Sequence, residues 1–192
     1  MNKNLAIIIP ARLGSKRLKN KNILPIKGLP MFVYVAKEAQ KSKNNPSIFI
    51  SSESQKIKKI CDKYNLKFIK RPKKLSSHQA EKQEAIVHGS NFLFKKFKTK
   101  PKMIISLQCN SPEFSHKDLD KAINIFKKKF TNKKNKELIS VGKDNCQNAS
   151  FRIMTYDAVF QKSLSTNVIV FFTNYIDIHT ERDYKKVLKN IN

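Results

Sequence analysis

At 192 residues with 40% hydrophobic content, the chain reads as one globular domain over 1–192 rather than a disordered polymer. Its 40 Lys and Arg against 14 Asp and Glu give a net charge of +26, but the lysines are spread over predicted polar helix faces and loops, which describes a surface that attracts small anions rather than a nucleic-acid groove. Cys61, Cys109 and Cys146 lie far apart with no C-x-x-C spacing, which argues against a disulfide framework or a cysteine zinc site, and no apolar run approaches the ~20 residues of a membrane span.

The first element is a buried strand over Leu5–Pro10; Pro10 and Arg12 cut its apolar stretch below the ~7–15 residues of a signal-peptide core, so a cytoplasmic protein is expected. A polar loop follows through Lys21, then a helix over Met31–Ser42 and a second strand over Ser47–Ser52. Ile57, Ile60, Cys61 and Tyr64 recur at helical spacing behind Ser54, a candidate N-cap. The strand Lys67–Lys70 stops at Arg71-Pro72, because proline restricts its predecessor and cannot extend a ladder. Ile86, Gly89, Ser90, Leu93 and Phe97 mark a long helix before the strand Met103–Leu107. Ser115 with Asp118 resembles a capping box ahead of the stripe Leu119, Ala122, Ile123, Phe126 and Phe130, and Lys127–Lys136 reads as a helix end and solvated loop. Leu138–Val141 and Val168–Phe172 are later strands, and Thr180 with Asp183 caps a helix over Glu181–Leu188.

Strands separated by single helices predict βαβ units in a three-layer α/β/α architecture with a doubly wound, mostly parallel sheet. Ligands in such sheets bind beyond the carboxyl ends of the strands. That directs attention to the loops starting at Pro10, Ser51, Arg71 and Gln108, and to the region near Asp177.

The loop after the first strand carries the strongest chemical signal: Pro10-Ala11-Arg12-Leu13-Gly14-Ser15-Lys16, then Lys21-Asn22-Ile23. A polyphosphate needs backbone N–H groups from a turn and cations that reach several oxygens; Gly14-Ser15 can supply the former and Arg12, Lys16 and Lys21 the latter. The spacing is neither the P-loop nor the Rossmann glycine pattern. His78, His88 and His116 lack ligand spacing with one another, and His88, in mid-helix, reads as structural.

The stretch IIIPARLGSKRLKNKNILPIKGLPMFVYVAKEA (Ile7–Ala39) resembles the signature of acylneuraminate cytidylyltransferases, I-P-A-R-x-G-S-K followed by K-N-I and L-x-G-K-P. The resemblance continues in order through Ser51-Ser52-Glu53-Ser54, Arg71-Pro72, Leu107-Gln108 with Ser111-Pro112, and Ile176-Asp177-Ile178. It implies a GT-A-like nucleotidyltransferase fold and transfer of CMP from CTP to a sugar acid, with 3-deoxy-manno-octulosonate as the alternative acceptor. In those roles Arg12, Lys16 and Lys21 would hold the triphosphate beside Gly14 and Ser15, Asn22 and Arg71 would seat the cytidine, and Gln108 would contact the sugar acid. Asp177 would hold Mg²⁺. The implied partners are small molecules, CTP and the sugar acid, with no nucleic acid and no membrane, in a homodimer. The structural alternatives are a solvated loop for Arg12 and Lys16, a strand-end hydrogen bond for Gln108, local capping for Asp177 and a surface turn for Arg71.

Departures from the family pattern fall at the acceptor end. Cys109-Asn110 and Glu113-Phe114 stand where Pro-Thr and Leu-Arg are usual, and His179 replaces a second metal-site aspartate, a change that would favour Mn²⁺ if the imidazole coordinates. The region between Val141 and Val168 is short where the family carries a dimerising insertion, and Asn148-Ala149-Ser150-Phe151-Arg152 stands where it has an N-G-A-x-Y strand. Two readings of other kinds follow: a non-catalytic homologue, and a basic nucleic-acid-binding protein that would need exposed aromatics where most Phe residues are predicted buried.

Overall fold

Branched and aromatic side chains concentrate in short runs, and each run becomes a strand. The computed structural model describes residues 2, 4–15, 17–77, 79–130, 136–142 and 146–191. Its strands are β1 (Leu5–Pro10), β2 (Pro25–Ile26), β3 (Leu29–Pro30), β4 (Ser47–Ser52), β5 (Lys67–Lys70), β6 (Met103–Leu107), β7 (Glu137–Val141), β8 (Gln147–Thr155) and β9 (Val168–Phe172). The helices are α1 (Met31–Gln40), α2 (Gln55–Lys63), α3 (Lys82–Phe97), α4 (His116–Phe130) and α5 (Glu181–Ile191). The main sheet has seven strands in the order β5-β4-β1-β6-β8-β7-β9. β8 pairs antiparallel with β6 and β7, and every other pairing in that sheet is parallel. The sheet is therefore mostly parallel, as the alternation of strands and helices predicts.

One sheet face, through Ile7, Ile9, Ile50 and Ile105, packs on Phe32 and Ala36 of α1, Ile57 and Cys61 of α2, and Leu119 and Phe126 of α4. The other face, through Ala6, Ile8, Phe49 and Ile104, packs on Ile86 and Leu93 of α3. Full burial of such aliphatic and aromatic side chains contributes about 1.5–3 kcal/mol each. α3 approaches β1 so closely that a Cβ on Gly89 would stand 2.9 Å from Ile8 Cδ1.

Several boundaries differ from the sequence expectation. α1 ends at Gln40, not Ser42, and α5 continues past Leu188 to Ile191. α3 begins at Lys82, ahead of its apolar stripe, because Glu81 and Glu84 form a reciprocal capping box. The Ser54 cap on α2 and the Thr180–Asp183 box on α5 form as expected. The Ser115–Asp118 box does not close: Asp118 accepts the Tyr175 hydroxyl instead, at 2.6 Å. β7 and β9 are joined through β8 rather than through a helix. β8 escapes simple pattern reading because Asn148, Ser150 and Arg152 make one of its faces polar, although Asn148–Arg152 lies within it. Of the Lys127–Lys136 segment, the helix end to Phe130 is described, while residues 131–135, like His78, lie outside the described residues.

The polar face of β8 is balanced by a buried network. Glu137, 0% exposed, accepts from Arg152 Nε at 2.7 Å and from Ser165 N and Oγ at 2.8 and 2.7 Å. Arg152 also donates through its second terminal nitrogen to Gln83 of α3 at 3.2 Å, and Gln83 donates to the Val159 carbonyl. This chain of bonds ties the start of α3 to the sheet.

Candidate active site

The carboxyl ends of β1, β5 and β6 open into a cleft of about 470 Å³. Arg12, Ser15, Lys21, Asn22, Arg71, Gln108, Asp177 and His179 all line it. Residues separated by more than a hundred positions in the chain thus share one cavity. Ser51 does not line it, but its carbonyl accepts the Ala11 amide at 2.9 Å and so steers the loop leaving β1. Lys16 lies outside the described residues. Gly14 is not a lining residue, and a Cβ there would meet nothing within 4 Å, so packing within the chain makes no demand for glycine at that position.

The loop leaving β1 is held by its own cross-links. Asn22 is buried, and its amide donates to the Arg12 carbonyl at 2.8 Å, fixing the return of the loop. The Arg12 guanidinium donates to the Ser77 carbonyl at 2.7 Å. Arg71, 4% exposed, donates to Ser76 Oγ at 2.9 Å and to Glu53 at 3.2 Å. Burial pushes the Arg71 pKa down and the Glu53 contact restores part of it; an arginine remains charged throughout. Burial likewise opposes ionisation of Glu53, but hydrogen bonds from Ser76, its own backbone and Arg71 outweigh it and hold that carboxyl below its ordinary value.

Asp177 lines the same cleft, in a segment that Arg17 and Lys21 of the loop contact at His179 and Ile178. Ser111 Oγ donates to Asp177 Oδ1, and no described residue donates to Oδ2. Burial raises the Asp177 carboxyl, while the Ser111 bond and the charges of His179, Lys82 and Lys21 pull it part of the way back. The peptide on each side is fastened: Ile178 N donates to the Asn110 carbonyl at 2.8 Å, Lys21 Nζ donates to the Ile178 carbonyl at 2.7 Å, and Ile176 N donates to Glu113 Oε2 at 2.6 Å. Glu113 also accepts from Asn190 of α5 at 2.6 Å, while Phe114 is buried in the core. This departure from the family pattern therefore straps the C-terminal segment and does not line the cleft. His179 Nδ1 lies 3.3 Å from the Arg17 guanidinium, which can only donate, so the ring accepts at Nδ1 and carries its proton on Nε2.

Cys109, 3% exposed, forms part of the floor; burial pushes its thiol up to about 12, so it stays protonated. Gln108 begins the floor where β6 ends, its amide donating to the Ser150 carbonyl at 2.8 Å, beside a buried Ser150 hydroxyl that has no partner among the described residues. Arg17 and Lys82 also line the cleft without having been singled out for it by sequence, and so do Cys109 and Asn110, noted there only as departures from the family pattern. Arg17 belongs to the same basic loop, but nothing in a lysine-rich sequence distinguishes Lys82.

The described residues contain no group of three carboxylate, imidazole or thiol side chains that could enclose a metal. Mg²⁺ in nucleotide sites is commonly held by one or two carboxylates completed by phosphate oxygens and water. Asp177, desolvated and with one oxygen uncommitted, fits that donor pattern. Among the described residues no helix is long and apolar enough to cross a membrane.

A model of the cytidylyltransferase family matches residues 6–176. The N-acylneuraminate cytidylyltransferase of Escherichia coli O18:K1:H7 is 33% identical over 89 residues, 46% of this chain and 21% of that protein. The 3-deoxy-manno-octulosonate cytidylyltransferase of Francisella tularensis subsp. novicida is 46% identical over 66 residues, 34% of this chain and 26% of that protein. The chain thus spans about a fifth to a quarter of the length of these two curated relatives. Among solved structures, CMP:2-keto-3-deoxy-manno-octonic acid synthetase complexed with CTP superposes with a TM-score of 0.77 at 14% identity, covering 98% of each chain. At that identity the likeness speaks for the fold alone.

Proposed function

The chain belongs to the cytidylyltransferase family, and from that premise we propose that it transfers CMP from CTP to a sugar acid, an acylneuraminate or related nonulosonate, with release of pyrophosphate. The observation that carries the proposal is the meeting of Arg12 and Lys21 with Asp177 and Gln108 in one cleft. In the reaction an O–P bond forms between the sugar's anomeric oxygen and the α-phosphorus as the bond to the bridging oxygen breaks. Little covalent chemistry falls to the protein in such a transfer, and positioning and electrostatics dominate.

Arg12, Lys16 and Lys21 would bind the triphosphate, Gly14 and Ser15 would leave room for it against their backbone, and Asn22 and Arg71 would bound the cytidine. Gln108, on the floor at the end of β6, would orient the acceptor. Asp177 would hold Mg²⁺ or Mn²⁺, which when bound neutralises triphosphate charge and polarises the α-phosphate. His179, turned toward Arg17, would position that arginine. The 46% identity to a 3-deoxy-manno-octulosonate enzyme over 66 residues supports that sugar as the alternative acceptor. The test is pyrophosphate release from CTP with Mg²⁺ or Mn²⁺ across a panel of sugar acids. Turnover with one acid and not with neutral sugars is expected. No turnover with any of them, together with no CTP binding by calorimetry, would overturn the proposal.

A further inference from the structure

Five described cations line the cleft, and four already have protein partners. Arg12 is bonded to the Ser76 and Ser77 carbonyls, Arg17 to His179, Lys21 to the Ile178 carbonyl, and Arg71 to Glu53 and Ser76. The fifth is Lys82, whose ammonium makes no hydrogen bond or ion pair with any described residue. It is the first residue of α3, placed there by the Glu81–Glu84 capping box and by the bond from Arg152 to neighbouring Gln83. Water still reaches the side chain, yet the cleft walls displace much of the ammonium's hydration. That desolvation lowers its pKa, the charge of Asp177 opposes the effect, and the charge of Arg152 adds to it. Lys82 therefore lines the cleft that Asp177, Gln108 and Cys109 also line, within electrostatic reach of Asp177 and Arg152. Arg152, the other cation on that side, is consumed by Glu137 and Gln83.

An ammonium that feels the Asp177 charge without pairing to it, and that makes no hydrogen bond to a described residue, is left ready to bond an incoming anion. The anion on the triphosphate side already faces the cations of the 12–21 loop, and an acid acceptor would bring a second anion to the Gln108 side. We propose that Lys82 binds the carboxylate of the sugar-acid acceptor and so makes the enzyme select acids over neutral sugars. This rests on the cytidylyltransferase reading given above and adds to it a residue that selects the acceptor.

The test compares wild type, Lys82→Met and Lys82→Arg, with the sugar acid that the wild type turns over and with its methyl ester. Lys82→Met is expected to raise the acceptor KM about 10- to 100-fold, the loss of one charge-assisted hydrogen bond, while changing the Kd for CTP less than about 2-fold. The wild type should disfavour the ester by a similar factor, Lys82→Met should not distinguish ester from acid, and Lys82→Arg should recover part of the preference. An unchanged acceptor KM in Lys82→Met overturns this assignment and leaves the proposed function standing. A CTP Kd that rises in step with KM places Lys82 on the triphosphate and overturns it equally. A wild type with neither turnover nor CTP binding overturns both.

Discussion

The two walls of the cleft solve the same problem, holding polar groups ready for an anion, in different ways. On the loop wall Arg12, Asn22, Arg71, Glu53 and Ser76 are bonded to one another, so the cations are fixed by the protein before any ligand arrives. On the side of Lys82 and Asp177, the Lys82 ammonium and one oxygen of Asp177 have no hydrogen-bond partner among the described residues. Bonds already made preorganise a site cheaply, whereas unmade ones reward only a ligand that completes them and penalise one that does not. Under the proposed function, this contrast would give affinity for the nucleotide to the first group and choice of acceptor to the second.

The strongest attempt to break this contrast is Asp177→Asn. If Asp177 holds the metal as proposed, losing its charge should lower turnover on the order of 10²-fold or more, since such an ion supplies several kcal/mol. Its stability should move the other way. The Asp177 pKa is raised in the fold, so ionisation costs stability as pH rises through that pKa, and the asparagine removes the cost. The melting temperature at neutral pH should be equal or higher than wild type, with the gap closing in acid; a clear drop would mean that Asp177 is structural.

Arg12→Ala should weaken CTP about 10- to 100-fold, while Lys127→Ala, which removes a distant lysine bonded to Asn44, should change it less than about 2-fold. Equal losses in titration calorimetry would reduce the loop wall to diffuse charge. Glu113→Ala should unfasten Ile176 and Asn190 and cost about 1–3 kcal/mol, read as a lower denaturation midpoint, with the CTP Kd affected less than acceptor turnover. The smallest effect concerns pH. Glu53 is held below its ordinary value, so the Arg71 pair stabilises at neutral pH and fades as pH falls through that lowered pKa; Glu53→Gln should flatten this acid limb of the stability profile.

The loop wall was legible in the sequence because its residues are nearly contiguous and leave a recognisable strand. Arg12, Ser15, Lys21 and Asn22 fall where a phosphate loop after β1 would put them. The rest of the cleft was less so, because it is assembled from residues near 82, 108–110 and 177 that lie far apart in the chain. Lys82 is one lysine among many, and its capping box only emerges once Glu81 and Glu84 are seen to face each other's backbone. Glu113 looked like an altered specificity residue and is a strap. The family resemblance marks β8 through Asn148–Arg152, whereas hydrophobic alternation alone does not, because Arg152 on its polar face answers the buried Glu137.

The Glu137–Arg152 pair also limits how this lineage can vary. Removing one member strands a charge in the interior, a loss of about 3–5 kcal/mol, whereas exchanging both for well-packed apolar residues can be nearly neutral. Arg152 also anchors Gln83 beside Lys82. Substitutions at 137 and 152 should therefore occur together, and exchanging both would also release the start of α3 from the sheet.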